Sequence, residues 1–558
     1  MTAHYDLVIR NGTVVDGTGA PRRKADVGVA NGKIVAVDPN LPRGAREIDA
    51  TDRVVAPGFI DPHTHYDAQI CWDSSIGPSS WHGVTSVIMG NCGVGIAPCR
   101  SAAREIAMQD LVNVESISYD VLKAGVSWDW DSFPQYMESA GRRGSAINLG
   151  FFAPLTPFRH YVMGEDSMTR AATREESAEV ERLLAEAIDA GAFGISTSTL
   201  NQHIGYGGRP LACQQASRDE LKQYARVLRK AGRGVVEVAL SQKPSFLSDQ
   251  EYGTLELLVD ESERPVTWLS VFQRDDIPES HVDIMERVAP LTRKGALPQI
   301  SAVPFTREIS MRSPFSFASY PCFHPIFNKT RDEQAAIYSD PGFRAEFRAA
   351  LDGPAVFNGD WRRITVGAVA NASLRRHEGR SIAAIANERG KDGVDTFLDL
   401  ALEDDLQIEY NFAAYNFNDE RMPDLLSNMD TLIGLSDGGA HVDLMCDAAY
   451  PTTLLGKWVR DKRVLTLEKA VQRLTTQPGD FLGIKDRGRI AVGMSADIVV
   501  FDPATIGPGK REKRFDLPSG GKRIVVHSIG IDRTIVNGVE IFAGGQLTDA
   551  RPGTVLHS

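Results

Sequence analysis

Cysteine is scarce in this sequence: the 558 residues contain six, at positions 71, 92, 99, 213, 322 and 446. Their spacing forms no Cys-x-x-Cys pair, which excludes the paired-thiolate zinc sites of small structural modules. In a reducing compartment, scattered thiols of this kind are expected to be buried as small hydrophobic side chains. Cys92 is an exception because it follows a predicted strand.

The sequence also lacks an uninterrupted apolar run long enough to span a bilayer. No basic and apolar leader opens it, since residues 1–6 lead directly into an apolar strand. We therefore expect a cytoplasmic protein with no membrane partner.

Positive charge is in deficit, with 61 Lys and Arg against 73 Asp and Glu and a formal net charge of −12. Binding to a phosphate backbone needs clustered Lys and Arg, so we expect no nucleic-acid partner. An apolar content of 42% and a charged content of 24% are typical of a globular protein and not of a disordered one. The length accommodates a (β/α)8 barrel and a smaller module.

Two histidines separated by one residue, His63 and His65, end a short apolar run that follows the turn Pro57-Gly58. On a strand, residues i and i+2 point to the same side, so both imidazoles would be directed at one point. Two convergent neutral imidazoles suit a divalent metal such as zinc. The alternative is a pair of hydrogen-bonded polar histidines beside a turn.

Two segments carry a family resemblance: Pro57-Gly58-Phe59-Ile60-Asp61-Pro62-His63-Thr64-His65 and Trp81-His82-Gly83-Val84-Thr85-Ser86-Val87-Ile88-Met89-Gly90-Asn91-Cys92-Gly93. The first resembles the first barrel strand of the amidohydrolase superfamily. The second is similar to the D-aminoacylase (N-acyl-D-amino-acid deacylase) branch. The resemblance implies an α/β fold, a TIM-like (β/α)8 barrel with a small β-sandwich built from both termini.

The distribution of strand patterns agrees with that architecture. Short β-rich runs with Gly-containing turns occupy both ends of the chain, and we expect residues 1–56 and 488–558 to form the composite β-sandwich. Residues 57–487 alternate apolar strands with helical patterns, as a parallel barrel does. An insertion at about 306–430, before the last strand, is interpreted as a substrate-shaping lid or a dimer contact. The expected barrel strands are 59–65, 85–91, 146–152, 192–198, 234–240, 265–271, 298–304 and 432–437.

Reactive groups of such barrels lie at the carboxyl ends of the strands. Asp437 ends the eighth predicted strand, where a carboxylate can hold a metal and accept a proton from water; the alternative is a cap on the Asp-Gly-Gly turn. Cys92 ends the second strand, and the resemblance implies that a cysteine there takes part in the metal site. The alternative is a buried structural thiol.

The resemblance also implies metal-binding histidines on the fifth and sixth strands, and this sequence has none there. A two-metal site is therefore in doubt. Glu237, inside the fifth strand, is a possible substitute ligand, because a carboxylate in an apolar strand is costly unless it is paired or bound to metal. A structural ion pair is the alternative.

Four further side chains are candidates for substrate binding. His203 lies in a glycine-rich loop after the fourth strand, and His441 follows Asp437. The deacylase branch holds its substrate carboxylate with basic and tyrosine side chains on later strands. Phe272 and Phe305 occupy that neighbourhood here, and Arg274 and Arg307 lie just beyond.

The sequence thus predicts a metal-dependent hydrolase of carbon–nitrogen amide bonds, acting on an N-acyl amino acid or related small-molecule amide. The expected cofactor is one or two divalent ions, zinc above others, held by His63, His65, Cys92, Glu237 and Asp437, with Asp437 as catalytic base. Ring opening of cyclic amides, as by a hydantoinase, a hydrolase with Cys92 as nucleophile and a non-catalytic scaffold are the alternatives. We also expect a homo-oligomer.

Overall fold

The computed structural model describes residues 4–352 and 357–558. Residues 1–3 of the predicted terminal module and residues 353–356 of the predicted insertion lie outside the described residues. Strands and helices alternate through the middle of the chain, which confirms the α/β class. None of the described helices combines the length and the apolar character that crossing a membrane requires.

The strands fall into three groups along the chain. The N-terminal strands are β1 (Leu7–Val14), β2 (Arg23–Ala30), β3 (Lys33–Asp38), β4 (Arg46–Asp49) and β5 (Val54–Pro57). The middle region contains β6 (Phe59–Asp61), β7 (Val84–Met89), β8 (Asn148–Phe151), β9 (Ala153–Pro154), β10 (Gly194–Ser198), β11 (Val235–Ala239), β12 (Val266–Leu269), β13 (Ala296–Ile300), β14 (Phe305–Ser310), β15 (Ile364–Ala368), β16 (Glu409–Tyr415) and β17 (Leu432–Ile433). The C-terminal strands are β18 (Ile498–Phe501), β19 (Gly507–Leu517), β20 (Gly521–Ile529), β21 (Ile531–Val536), β22 (Val539–Ala543) and β23 (Gln546–Leu547).

The described α-helices lie almost entirely between β7 and β18. They are α1 (Arg104–Glu115), α2 (Tyr119–Gly125), α3 (Phe133–Arg143), α4 (Leu155–Met163), α5 (Arg174–Asp189), α6 (Arg218–Ala231), α7 (Asp249–Ser262), α8 (Ser280–Thr292), α9 (Arg331–Ser339), α10 (Pro341–Ala350), α11 (Ile382–Arg389), α12 (Gly393–Glu403), α13 (Met422–Leu426), α14 (Tyr450–Thr453), α15 (Leu467–Leu474) and α16 (Thr476–Leu482).

Helix starts in the strand–helix repeats are set by local sequence. Helices α5, α6 and α7 each begin with a Ser or Thr whose side chain accepts a hydrogen bond from the backbone of a Glu three residues later, and that Glu bonds back. These capping boxes satisfy backbone donors that the first helical turn leaves free.

Strands from both termini form one nine-stranded sheet. Its order is β23-β22-β21-β18-β5-β1-β2-β3, with β4 paired to β1. Strand β18 pairs antiparallel with β5, so the returning chain is joined directly to the segment that leads into β6. The last residues leave this sheet, because Val555 forms a bridge with Leu149 of β8.

Parallel strands of the middle region form two sheets, ordered β6-β7-β8 and β9-β10-β11-β12-β13-β17. Strands β8 and β9 follow one another in the chain with only Phe152 between them. A parallel bridge between Thr64 and Gly438 connects the segments that follow β6 and β17. The first and last parallel strands are therefore neighbours at their carboxyl ends.

The segment between β13 and β17 forms a structure of its own. Strands β14, β16 and β15 pair antiparallel in that order, and α9 to α12 pack on them. Aromatic and aliphatic side chains build a second apolar core here, separate from the main one. Two short 3-10 turns, Phe315–Phe317 and Pro321–Ile326, occupy a proline-rich stretch of this segment.

All eight expected parallel strands are present, each shorter than predicted, and the first and last are shortened most. The first ends at Asp61 and not at His65, because Pro62 has no N–H to donate to the ladder. The last ends at Ile433, and Leu435 and Asp437 have φ angles of 51° and 47°, which no strand contains.

Asp497 ties the terminal sheet to the parallel strands. Its side chain, 2% exposed, accepts hydrogen bonds from Asn148 Nδ2 at 2.9 Å and from the backbone N–H of Asn537 at 2.7 Å. It also pairs with the buried guanidinium of Arg487. Removing this carboxylate leaves the buried guanidinium with only the half-exposed Asp486 as an acidic partner.

We expect Asp497→Ala to lower the free energy of unfolding by about 3 kcal/mol, because one half of a buried pair is lost. Urea denaturation measures the change. Asp480→Ala, which removes the surface pair of Asp480 with Arg489, is the matched control and should cost at most about 1 kcal/mol. Equal losses of unfolding free energy in the two variants would show that Asp497 does not stabilise the fold through its buried pair.

Candidate active site

The two histidines of the His-x-His motif converge as predicted. Their Nε2 atoms lie 3.2 Å apart, and both side chains are buried. The motif is fixed by its backbone: Thr64 N donates to Ile88 O at 3.0 Å and His65 N donates to Gly438 O at 2.7 Å. The histidines thus meet beyond the end of β6, held by the neighbouring strands and not by the ladder itself.

Cys92 joins this pair from the end of β7. Its Sγ lies 3.6 Å from His63 Nε2, and ligand atoms of His63, His65 and Cys92 all lie within 4.8 Å of one another. Cys92 has a φ of 56°, a conformation that few non-glycine residues adopt. Its backbone N–H donates to Glu237 Oε2 at 2.7 Å, so the fifth parallel strand fixes the turn that directs the thiol inward.

Asp437 lies against the same atoms from the last parallel strand. Its Oδ1 is 3.2 Å from His63 Nε2 and 4.0 Å from His65 Nε2. Burial alone would raise the pKa of Asp437, but the His63 hydrogen bond and the surrounding imidazoles hold it well below its ordinary value. The carboxylate is therefore ionised at neutral pH.

Glu237 is buried beside this cluster at the centre of β11. Burial raises the pKa of its carboxyl to about 7. One oxygen is bonded to Cys92 N, and Oε1 has no hydrogen-bond partner among the described residues. The structure shows no ion pair of Glu237 with a Lys or Arg in the described ranges, which was the alternative.

A cavity of about 70 Å³ opens onto the cluster, enough for a few water molecules. His203 and His441, the two predicted substrate-binding histidines, both line it. His203 Nδ1 is 2.8 Å from Ser198 Oγ. The ring centroids of His441 and Phe315 are 4.4 Å apart. Burial lowers the pKa of His203 to about 4 and that of His441 to about 3, so both imidazoles are neutral at pH 7.

The two predicted arginines differ in their placement. Arg307, on β14, lines the cavity. Arg274 does not line it: the guanidinium donates to both carboxylate oxygens of Asp276, at 2.9 and 2.6 Å, and to Pro244 O at 3.1 Å. Arg274 does lie just beyond the sixth strand. Its ion pair with Asp276, however, keeps the guanidinium out of the cavity lining.

Glu115 is a site residue that the sequence reasoning missed. It is the last residue of α1, is 2% exposed, and places Oε1 3.2 Å from His65 Nδ1. Burial raises its pKa well above the ordinary value. The only signal was a carboxylate in an otherwise apolar helical turn, which without the fold cannot be distinguished from a surface residue.

Comparison with known proteins bears on this site. A model of the Amidohydrolase family matches residues 46–542. The chain belongs to the Amidohydrolase family. The prediction of an enzyme that hydrolyses carbon–nitrogen bonds of amides is thereby confirmed, and the non-catalytic scaffold is set aside.

Relatives of this amidohydrolase identify the branch. It is 28% identical to D-aminoacylase of Alcaligenes xylosoxydans xylosoxydans, covering 99% of this chain and 97% of the relative. It is also 28% identical to N-acyl-D-glutamate deacylase of the same organism, covering 100% and 97%. A D-aminoacylase structure described for its binuclear metal center superimposes with a TM-score of 0.69 at 25% identity, covering 99% of this chain and 100% of that one. The predicted resemblance to the D-aminoacylase branch is confirmed.

The neutrality of the two cavity histidines is testable. Because burial depresses both pKa values, we expect the imidazole signals of His203 and His441 to stay at neutral-form shifts from pH 8 down to pH 5 in histidine-labelled protein. Signals are assigned with His203→Gln and His441→Gln. A midpoint near the ordinary value of about 6.5 for either residue would contradict the burial argument.

Proposed function

We propose that this amidohydrolase is a zinc-dependent deacylase of N-acyl amino acids. The observation that carries the proposal is the convergence of His63, His65 and Cys92 with the carboxylate of Asp437. Support for the deacylase activity comes from the relatives named above. No feature of the cavity favours cyclic amides over linear ones.

The donor set fits zinc. In a tetrahedral site, metal–ligand distances of about 2.0–2.1 Å for nitrogen and about 2.3 Å for sulfur place two nitrogens about 3.3 Å apart, and a nitrogen and a sulfur about 3.6 Å apart. The two imidazole nitrogens are 3.2 Å apart, and His63 Nε2 and Cys92 Sγ are 3.6 Å apart. His63, His65 and Cys92 would hold the ion, and the Asp437 carboxylate would face it from beside the two imidazoles.

We propose one ion. The described residues contain a single cluster of this kind, and the fifth and sixth strands supply Glu237 and no histidine. Glu237 would act through Cys92, because its carboxylate accepts the Cys92 N–H. An ion held here would supply Lewis-acid polarisation of the substrate carbonyl and a lowered pKa of water.

Asp437 is the proposed base. Its carboxylate is ionised and borders both the cluster and the cavity. It would accept a proton from the attacking water and deliver it to the leaving nitrogen as the amide bond breaks. The neutral His203 and His441 can donate or accept hydrogen bonds to the substrate without adding charge.

The architecture supports this arrangement. We propose that the eight parallel strands close into a (β/α)8 barrel through the Thr64–Gly438 bridge, with the active site at their carboxyl ends. We also propose that residues 1–56 and 488–558 form the β-sandwich, and that the insertion at about 306–430 covers the mouth of the barrel. A cytoplasmic location and a homo-oligomer remain predictions.

Asp437→Asn tests the role of the base. We expect turnover of an N-acetyl amino acid to fall about 10³-fold, within the range for loss of general acid–base catalysis, while zinc content is retained. Steady-state kinetics measures the turnover, and elemental analysis measures the zinc content. Chelation should abolish the wild-type activity and zinc should restore it. Near-normal turnover in a zinc-loaded variant would remove Asp437 from the mechanism, and chelator-resistant activity lost in Cys92→Ser would indicate a cysteine nucleophile instead.

Glu115→Ala tests the orientation of His65. Loss of the carboxylate that faces Nδ1 should weaken zinc affinity about 10- to 100-fold, as loss of a hydrogen bond to a metal-binding histidine does. Competition with a chelator of known affinity measures it. Glu105→Ala, on the exposed first turn of the same helix, is the control and should leave the affinity unchanged. Equal affinities in both variants would make Glu115 a bystander.

A further inference from the structure

The loop that carries His203 to the cavity is rich in glycine. Residues 202–209 include three glycines, and two of them, Gly207 and Gly208, have φ angles of 66° and 76°. Glycine loses more conformational freedom on folding than any other residue, so contacts from outside the loop have to fix its shape. On one side, the carbonyl of His203 accepts a hydrogen bond from Gln214 Nε2 at 2.8 Å.

Helix α1 holds the loop on the other side. Asp110 Oδ1 accepts a hydrogen bond from Tyr206 N at 2.7 Å, and Asn113 Nδ2 donates to Gly205 O at 2.9 Å. Both side chains are buried, and their spacing of three residues places them on one face of the helix. Gly205 O and Tyr206 N belong to one peptide group, so α1 bonds the donor and the acceptor of the same unit.

The second oxygen of Asp110 is bonded from behind. Oδ2 lies 3.1 Å from His160 Nε2, and His160 Nδ1 lies 2.8 Å from Ser167 Oγ. The order Ser–His–Asp is that of a catalytic triad, but Ser167 is 0% exposed and its hydroxyl donates to Gly164 O at 2.6 Å. A buried hydroxyl that is already bonded cannot attack a substrate. These side chains instead fix the orientation of the Asp110 carboxylate.

The position of the loop determines where the His203 imidazole lies. His203 lines the cavity together with Asp437, and its Nδ1 is 2.8 Å from Ser198 Oγ at the end of β10. This contact requires the backbone at residue 203 to lie at a fixed distance from β10. A displacement of about 1 Å in a group that contacts substrate can cost as much as about 100-fold in rate. Asp110 does not line the cavity, so it can affect the reaction through this loop.

We propose that Asp110 is a positioning residue of this amidohydrolase. Through the peptide group between Gly205 and Tyr206, it sets the place of the His203 imidazole in the cavity, and His160 orients its carboxylate. This inference rests on the proposed function, in which His203 makes a hydrogen bond to the substrate.

A double-mutant cycle with His203 tests the proposal on racemic N-acetylmethionine. Asp110→Ala and His203→Gln should each lower kcat/KM about tenfold, as loss of one hydrogen bond to the substrate does. Because Asp110 acts through His203, the double variant should also lose about tenfold, whereas two independent residues would lose about 100-fold. Asp110→Asn keeps an oxygen for Tyr206 N and should stay within about twofold of the wild type. Glu105→Ala, on the exposed first turn of α1, is the control and should leave kcat/KM unchanged.

Imidazole nitrogen spectra of zinc-loaded, histidine-labelled protein without substrate give a second measurement. We expect the His203 Nδ1 signal to move in Asp110→Ala, because its contact with Ser198 is lost. It should also move in Asn113→Ala, which removes the other bond to the loop and leaves Asp110 paired with His160. The signal should stay in place in Asp110→Asn and in the control.

Additive losses in the cycle would overturn the inference, and so would an unmoved His203 signal in folded Asp110→Ala and Asn113→Ala proteins. Wild-type protein without turnover of N-acetyl amino acids, in which the His203 signal responds to these variants as expected, would overturn the proposed function and leave the positioning role of Asp110 standing.

Discussion

The contact between the segments that follow the first and last parallel strands determines the geometry of the site. His65 N donates to Gly438 O at 2.7 Å, and Ser436 Oγ donates to His63 O at 3.0 Å. These bonds lie immediately beside His63, His65 and Asp437, which come from distant parts of the sequence. Without them, the imidazoles and the carboxylate would have no fixed separation, and the chemistry proposed here depends on distances near 3 Å.

Three carboxyl groups are buried around that contact, and keeping any of them ionised there costs free energy. Asp61, Asp67 and Glu237 are buried, and burial raises the pKa of each to about 7. No lysine or arginine among the described residues pairs with any of them. A cluster of acids in a dry interior is destabilising by itself, and a divalent cation is the compensation that proteins use most directly. Left-handed backbone at Cys92, Leu435, Asp437 and His441 adds strain of about 1–3 kcal/mol per residue.

Strand ends were the part of the site that the sequence could predict. His63, His65 and Asp437 were predicted as site residues because residues at the carboxyl ends of parallel strands face a common point. The role of Cys92 was implied by the family resemblance. Glu115 comes from a helix that crosses the site, and its contact with His65 depends on how that helix packs, for which the sequence contains no local pattern. For Arg274 the difficulty was different. Its position along the chain was predicted well, but its ion pair with Asp276, two residues away, keeps it from lining the cavity.

Exact strand lengths were less predictable than strand positions for a related reason. A ladder ends where backbone donors are lost or φ changes sign, as at Pro62 and Leu435, whereas apolar patterns continue beyond these points.

The segment between β13 and β17 supplies a wall of the cavity that the parallel strands alone could not supply. Arg307, Phe305 and Tyr415 lie on the antiparallel strands β14 and β16, and Phe315 on the turn that follows β14. The apolar core that contains Phe305 and Tyr415 also contains Cys92 and Leu435, so this wall and the thiol beside His63 share one packing environment.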